Sequence, residues 1–269
     1  MLYFVSTPIG NMKDMTYRGV EVLSSVDIIA CEDTRHSLPL LEYYGIKKKL
    51  VSYQKFNEAE TCGKIVEYLK DGKQVAVISD AGTPLVSDPG AYLVRALIRE
   101  NLPFTVVPGA NAPIPALILS GLDTDRFAFV GFLPEKNGER EKLLESYAFL
   151  PSTLIFYSAP HDLRKTVDCL YKAFGDRRAV LVKEITKLHE TRYDIRLSSF
   201  PSDVDERGEF VVLVAGNDCN SYLELPVNEH IALYINDGMS KMDAIKKVAK
   251  ERGVPKSVIY KSVLSDEND

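Results

Sequence analysis

Residues 79–90 combine the residue types that most often hold a small ligand. Ser79-Asp80-Ala81-Gly82-Thr83-Pro84-Leu85-Val86-Ser87-Asp88-Pro89-Gly90 follows a short apolar run, residues 74–78, which is typical of a buried parallel strand. A helical pattern begins at Ala91. Open α/β sheets bind ligands at the carboxyl ends of their strands, and small residues there let a ligand reach backbone N–H groups. The stretch predicts a ligand site, with an ordinary strand-to-helix turn as the alternative.

Three more predicted strands end in loops of similar composition. The strands cover residues 2–6, 27–31 and 104–107, and their loops cover residues 7–11, 32–36 and 108–112. Helical patterns lie between the strands, which predicts a parallel, wound α/β sheet. Because the carboxyl ends of parallel strands meet at one edge, we expect the four loops to form one surface.

The rest of the chain divides into two parts. Turn residues at 121–125 predict a boundary, so we expect an N-terminal α/β domain with a parallel sheet over 1–120. A second α/β domain, with a mixed sheet, is expected over 121–224. Residues 225–269 have a helix-turn-helix pattern and predict a small helical extension.

Charge is distributed unevenly along the chain. The net charge is −5, but residues 239–264 contain seven Lys or Arg and two acidic residues, a local excess of +5. The excess indicates either a dedicated RNA- or DNA-binding appendage or a solvated helix face. The four cysteines are far apart and lack metal-ligand spacing, so we expect reduced thiols, no metal and a cytoplasmic protein. Neither a signal peptide nor a membrane-spanning segment is expected.

Familiar catalytic motifs do not occur. The sequence contains no G-x-x-x-x-G-K-[ST], no G-x-G-x-x-G after the first strand and no G-x-S-x-G. Taken alone, the residues indicate a small-molecule or group-transfer enzyme with a composite site at several strand ends.

A set of short motifs, in order along the chain, closely resembles the tetrapyrrole methylase superfamily, and within it the methylases of small-subunit ribosomal RNA. The motifs are Ser6-Thr7-Pro8-Ile9-Gly10-Asn11, Glu32-Asp33-Thr34-Arg35-His36, the 79–90 stretch, Val107-Pro108-Gly109, Gly131-Phe132-Leu133-Pro134 and Glu184-Ile185-Thr186-Lys187-Leu188-His189-Glu190. The resemblance implies 2′-O-methylation of a cytidine in the decoding region of 16S rRNA. It also implies S-adenosylmethionine as methyl donor, bound in a cleft between two α/β domains of a homodimer.

The resemblance further implies which residues hold the donor. Gly82-Thr83-Pro84 occupies the place of a family cofactor loop, so Thr83 and the backbone near Val86 are the main expected contacts. The expected cofactor-binding residues are Pro8, near the methionine end of the donor, Asp80, Gly82, Thr83 and Val86, together with Asn111 and Ala112, which flank the adenosine.

Methyl transfer to a hydroxyl requires alignment and a general base. The candidate bases are Glu184, Lys187, His189, Glu32 and Asp33, of which Glu184 or Lys187 is preferred. The alternative is that Lys183, Glu184, Lys187 and Glu190 form only a local ion network. Arg35 either binds an RNA phosphate or pairs with Glu32 or Asp33. His36 and His161 are expected to pack or to form hydrogen bonds.

RNA binding is also assigned to the basic extension, through Lys246, Lys247 and Lys250. Two departures from the family pattern, at Ser158–Asp162 and Asn111–Pro113, put local contacts in question. Two alternatives stay open: a methylase of the same fold acting on a tetrapyrrole or other small molecule, and a non-catalytic RNA-binding assembly factor.

Overall fold

Two five-stranded sheets form the framework of the molecule. The structure is a computed structural model that describes residues 1–54, 58–88, 90–217, 225–236 and 238–260. The first sheet contains strands from the first 107 residues, and the second contains strands between residues 127 and 214. Helices cover both sheets, which confirms the α/β fold class expected from the sequence.

The first sheet is entirely parallel. Its strands are β1 (Leu2–Val5), β2 (Ile28–Cys31), β3 (Lys49–Ser52), β4 (Val75–Ile78) and β5 (Phe104–Val107), in the order β3-β2-β4-β1-β5. The sequence predicted four of these strands and missed β3. This strand lies at the edge of the sheet and has no fully buried residue, so it lacks the continuous apolar run that marks the other strands.

Four helices pack on the two faces of this sheet. They are α1 (Tyr17–Ser25), α2 (Thr34–Tyr43), α3 (Glu58–Lys70) and α4 (Ala91–Arg99). The predicted start of α2 near Pro39 was wrong, because Asp33 caps the helix five residues earlier and accepts a hydrogen bond from Arg35 N at 2.8 Å. Part of the predicted 32–36 loop is therefore the first turn of a helix.

The strand order creates a crevice between β1 and β4. The chain leaves β1 towards β2, with α1 and α2 on one face, and leaves β4 towards β5, with α3 and α4 on the other face. The loops after β1 and β4 therefore diverge at a point where the direction of winding reverses. Such switch points are where open α/β sheets bind ligands.

The second sheet is mixed. Its strands are β6 (Phe127–Phe132), β7 (Thr153–Ser158), β8 (Arg178–Lys183), β9 (Thr191–Arg196) and β10 (Phe210–Val214), in the order β6-β7-β10-β8-β9. Only β6 and β7 pair in parallel. Strand β10 lies between β7 and β8 and is antiparallel to both, so its amino end meets their carboxyl ends.

Helix α5 (Pro113–Ser120) connects the two sheets. It follows the loop after β5, yet its buried Ala116 and Leu117 pack against Ile155, Val180 and Val211 of the second sheet. The opposite face of that sheet is covered by α6 (Asn137–Tyr147) and α7 (Leu163–Phe174). Because α5 directly follows residues 108–112, its packing holds that loop against the second sheet.

The chain continues with α8 (Val227–Asn236), α9 (Lys241–Glu251) and a helical segment at 256–260. Ser240 caps α9, and Ile231, Ile245 and Ile259 share a small core of their own. The remainder of the predicted third helix, residues 261–264, lies outside the described residues. The domain limits 1–120, 121–224 and 225–269 remain predictions.

Within the described part of the chain, no helix has the length and apolar character needed to cross a bilayer. Cys31, Cys62 and Cys169 are free thiols, and Cys219 falls outside the described residues.

Candidate active site

Backbone pairing joins the loops that follow β1 and β4. Thr7 N donates to Gly82 O at 2.8 Å, and Gly82 N donates back to Thr7 O at 3.0 Å. The Thr83 hydroxyl donates to the Ala110 carbonyl at 3.2 Å and lies 3.0 Å from the Ser6 hydroxyl. These bonds connect the loops after β1, β4 and β5, three of the four loops that the sequence predicted to form one surface.

The loop after β1 also reaches the second sheet. Asn11 N donates to the Thr186 hydroxyl at 3.2 Å. Gly10 lies so close to Lys187 that an added Cβ would come within 2.5 Å of the lysine Cγ. The loop after β1 is therefore in close contact with residues 186 and 187, and a side chain at Gly10 would displace Lys187.

A cleft of about 380 Å³ opens between the sheets at these loops. The first sheet and its loops contribute Ile9, Asp80, Ala81, Gly82, Thr83, Val86, Ser87, Asp88, Asn111 and Ala112. The second sheet and its loops contribute Phe132, Tyr157, Ser158, Ala159, Pro160, Ile185, Glu209, Phe210 and Val211. The cleft therefore has apolar and aromatic walls with a few carboxylates and backbone groups, a composition typical of small-molecule sites.

Six of the seven residues expected to hold a cofactor line this cleft. They are Asp80, Gly82, Thr83, Val86, Asn111 and Ala112. The seventh, Pro8, is buried between Thr7 and the lining residue Ile9 and is not itself part of the wall. Their contact with a bound donor stays a prediction.

The loop after β4 holds an unusual backbone conformation. Leu85 and Ser87 both have φ of 72°, in the left-handed region that L-residues other than Asn and Asp rarely adopt. The Leu85 side chain packs at Gly90, and the Ser87 hydroxyl faces Gly131 of β6. Contacts from both sheets therefore maintain a strained loop at the cleft, where such strain is often functional.

Asp88 is the most perturbed carboxyl group in the cleft. Burial and the negative charges of Glu32 and Asp80 together raise its pKa to about 6, against a hydrogen bond from Ser79 that lowers it. Glu32, after β2, also has a raised pKa, from burial and from the charges of Asp80 and Asp33. Asp88 can therefore exchange a proton near neutral pH, which the sequence analysis did not anticipate.

The preferred base candidates, Glu184 and Lys187, lie beside the cleft and not in its wall. Lys187 Nζ is 3.0 Å from Glu184 Oε1 and 2.9 Å from Glu209 Oε2, and Glu209 N donates to Glu184 Oε1 at 2.9 Å. Burial acts against both charges, but these hydrogen bonds lower the pKa of Glu184 and raise the pKa of Lys187. Both groups are consequently charged at neutral pH.

The anticipated ion network exists in a different form. Glu190 accepts a hydrogen bond from Thr186 N at 2.7 Å, and buried Lys183 pairs with Asp205 at 2.6 Å. The network around Glu184 instead includes Glu209, which lines the cleft.

Glu32 and Asp33 lie behind Asp80, outside the wall of the cleft. Asp33 N donates to Asp80 Oδ1 at 3.2 Å, and the Asp33 carboxylate pairs with Arg35 at 2.6 Å. Hydrogen bonds from Arg35 lower the pKa of Asp33 to about 2. Of the two roles considered for Arg35, pairing with Asp33 is the one seen in the structure, and RNA binding stays a prediction.

His36 shares the Asp80 carboxylate with this group. Its Nδ1 is 3.1 Å from Asp80 Oδ2, and that hydrogen bond raises the pKa of His36. Among the described residues, no three His, Cys, Asp or Glu side chains are arranged to hold a metal ion.

The lysines assigned to RNA binding lie on the exposed face of α9. Lys246 pairs with Asp243 at 2.9 Å, and Lys247 Nζ lies 4.0 Å from the centroid of the Tyr234 ring. Lys250 is exposed on the same helix. The opposite face, with Ala244, Ile245 and Val248, packs against α8.

Comparison with known proteins identifies the family. A family model described as "Tetrapyrrole (Corrin/Porphyrin) Methylases" matches residues 1–201. The chain belongs to the tetrapyrrole methylase family. This result confirms the resemblance found in the sequence. Methyltransferases of the family use S-adenosylmethionine, which confirms the expected methyl donor.

Two curated relatives match nearly the whole chain. The chain is 40% identical to "Ribosomal RNA small subunit methyltransferase I" of Bacillus subtilis (strain 168), over 97% of this chain and 92% of the relative. It is 41% identical to the Pseudomonas aeruginosa protein of the same name, over 98% of this chain and 96% of the relative.

Solved structures agree on the fold. Uroporphyrin-III-C-methyltransferase from Thermus thermophilus superimposes with a TM-score of 0.58 at 20% identity, covering 80% of this chain and 93% of that one. Cobalt precorrin-4 methyltransferase gives a TM-score of 0.60 at 17% identity, covering 80% of this chain and 94% of that one.

The size and the lining residues of the cleft fit S-adenosylmethionine, the methyl donor of this family. Ile9, Val86 and Ala112 provide apolar surface suited to an adenosine, while Asp80, Asp88 and Glu209 provide negative charge suited to a sulfonium and an ammonium group. The Thr83 and Ser87 side chains and the Asn111 amide supply neutral polar groups to the same wall.

Four wall residues, Asp88, Glu209, Phe132 and Tyr157, were not predicted from the sequence. Asp88 and Phe132 belong to motifs noted in the sequence. The sequence does not show that Asp88 is partly buried or that the Phe132 ring is exposed. Glu209 precedes a strand, and only the antiparallel pairing of β10 brings it beside Glu184.

Proposed function

We propose that this chain transfers a methyl group from S-adenosylmethionine to the ribose 2′-hydroxyl of a cytidine in the decoding region of 16S rRNA. The observation that carries the proposal is the near-complete match to relatives named for small-subunit rRNA methylation. The family model ends at residue 201, whereas these matches cover 97–98% of the chain and so include most of the basic extension.

A methylase acting on a tetrapyrrole or another small molecule is the second candidate, supported by the fold of the solved neighbours. A small-molecule methylase would have no use for the exposed face of α9 that carries Lys246, Lys247 and Lys250. A non-catalytic RNA-binding factor is the third candidate, and it gives no role to a cleft of about 380 Å³ with a carboxyl group titrating near neutral pH.

In the proposed site, Asp80, Gly82, Thr83, Val86, Asn111 and Ala112 hold the donor, with Pro8 supporting Ile9. When bound, S-adenosylmethionine supplies a methyl group that leaves a positively charged sulfur, which keeps the electron pair of the broken S–C bond. The chain must orient the ribose oxygen towards that methyl carbon and remove the hydroxyl proton as the O–C bond forms.

Asp88 is the base that the geometry favours. It lies in the wall of the cleft, and a carboxylate whose pKa is about 6 is both deprotonated and basic enough to accept a proton near pH 7. Glu184, Lys187, Glu32 and Asp33 remain candidates from the sequence. The ion pairs of Glu184, Lys187 and Asp33 favour positioning roles, since Lys187 is held protonated and Asp33 has a pKa of about 2. Glu32 lies outside the wall of the cleft.

Replacing Asp88 by Asn tests this assignment. Because the wild-type carboxyl group must be deprotonated, kcat/KM should rise with pH up to about 6 and then level off. Glu32, Asp80, Tyr157 and Ser79 are the polar groups that face Asp88 and set this midpoint. Asp88→Asn should lower kcat by about 10²–10⁴-fold and remove the low-pH limb, as measured by methyl transfer at a series of pH values.

Asp71→Asn, at an exposed carboxyl group after α3, is the matched control and should retain the wild-type profile. An Asp88→Asn enzyme with the same limb near pH 6 would show that another group is the base.

The basic extension is proposed to bind the RNA backbone. Replacing Lys246, Lys247 and Lys250 by Gln should weaken RNA binding. It should also reduce the slope of log Kd against log salt concentration by about 0.7 for each phosphate that the extension no longer neutralises. Binding to a decoding-region RNA across a series of KCl concentrations measures the slope. The matched control replaces exposed Lys47, Lys142 and Lys172 by Gln, which makes the same change in net charge. An unchanged slope in the Lys246/Lys247/Lys250 variant would contradict the proposed role.

We also propose a cytoplasmic homodimer acting on 16S rRNA or on the small ribosomal subunit. The family resemblance supports this assembly, and sedimentation of the purified chain measures it directly.

Mass spectrometry of 16S rRNA tests the function itself. A strain lacking this protein should lose one ribose methyl group from a decoding-region cytidine. The wild-type gene should restore the methyl group, and the Asp88→Asn gene should not. Persistence of that methyl group in the deletion strain would exclude the proposed reaction.

A further inference from the structure

An exposed aromatic ring is shared by the cleft and a second, smaller cavity. Phe132, the last residue of β6, is 59% exposed and lines both. The smaller cavity, of about 50 Å³, also shares Tyr157, Ser158 and Ala159 with the cleft. Phe132 therefore belongs to the walls of two adjoining cavities.

The ring packs against a second aromatic side chain. Its centroid lies 5.2 Å from that of Tyr157, its partner on β7, and Tyr157 in turn packs edge-on against Phe129 at 4.9 Å. The register of β6 shifts between Phe129 and Gly131, and Gly131 has φ of 80°. Such an irregularity changes the direction of the following side chain, and bulges are common beside active sites.

Polar groups surround the smaller cavity. Buried Arg140 donates from Nη1 to the carbonyls of Pro134 and Glu135, both at 3.1 Å, and thereby holds the chain that follows Phe132. Lys165, whose Nζ is 3.8 Å from Asp162 Oδ1, lines this cavity together with Phe132. An exposed aromatic ring and a cation that line the same cavity suit a nucleotide, whose base stacks while its phosphate is neutralised.

We infer that Phe132 is a stacking platform for the base of the target nucleotide, which leaves its ribose to enter the inner cleft beside Asp88. The inference rests on the proposed function and adds a base-binding subsite to it. A 2′-hydroxyl can reach an enclosed donor only if its nucleotide leaves the RNA stack. Unstacked bases in RNA are commonly bound on aromatic side chains.

Tryptophan fluorescence tests the stacking, because the chain contains no tryptophan. Phe132→Trp places a single reporter on the platform. Phe127→Trp, at the opposite end of β6 and 44% exposed, is the matched control. Titration with a single-stranded decoding-region oligonucleotide should quench the fluorescence of the Phe132→Trp variant with saturation and leave that of the Phe127→Trp variant unchanged. Equal quenching of both variants, or no quenching of a Phe132→Trp enzyme that still methylates rRNA, would overturn the inference.

Kinetics of three variants supply a second readout. Phe132→Ala and Phe132→Leu should each raise KM for RNA about 5- to 150-fold, the equivalent of one stacked base, while Phe132→Tyr should stay near wild type. The thermal unfolding midpoint should be the same in all three variants, which excludes misfolding. A wild-type KM in Phe132→Leu would show that apolar bulk suffices and that no base stacks there.

The two hypotheses fail separately. Wild-type enzyme that cannot methylate rRNA would overturn the proposed function. Normal methylation, together with an unquenched Phe132→Trp variant and an unchanged KM in Phe132→Leu, would overturn the stacking platform alone.

Discussion

The reciprocal backbone hydrogen bonds between Thr7 and Gly82 are the constraint on which the site depends. They join the loops after β1 and β4, which leave the sheet in opposite directions and would otherwise diverge. Thr83 then connects this pair to the loop after β5 through the Ala110 carbonyl. Since the partners are main-chain atoms, the surface they form presents backbone groups and small side chains to a ligand, which suits a donor without phosphates.

The second sheet completes the site because three contacts fix it against the first. Helix α5 packs on its face, Asn11 bonds to Thr186, and Gly10 meets Lys187. Strand β10, running against its neighbours, brings Glu209 to the same edge as Ser158 and Lys183. One wall of the cleft is therefore built from the loops that follow β1, β4 and β5, and the other from the ends of β6, β7 and β10 with the residues beside them.

Electrostatics divides the acidic residues between two tasks. Asp33 pairs with Arg35 and has its pKa lowered to about 2, whereas Asp88, buried near the like charges of Glu32 and Asp80, has its pKa raised to about 6. The same functional group thus serves as a fixed charge at one place and as a proton acceptor at another. Carboxyl groups whose environments move their pKa values in opposite directions commonly have different acid–base roles in enzymes.

Much of the fold could be predicted because it depends on local pattern. Apolar runs followed by small-residue loops located β1, β2, β4 and β5, and the ordered motifs identified the family. Edge strand β3 was missed because its residues are only partly buried, and the start of α2 was misplaced because Asp33 was not recognised as a cap. Site residues whose role depends on tertiary burial or strand direction, such as Asp88 and Glu209, could not be predicted from spacing alone.

A crystal structure of the chain with S-adenosylmethionine measures the central claim most directly. The donor should occupy the cleft, with its adenosine between the 79–88 and 108–112 loops and its sulfonium facing the second sheet near Tyr157. If S-adenosylmethionine were bound outside this cleft, the assignment of the site would be contradicted.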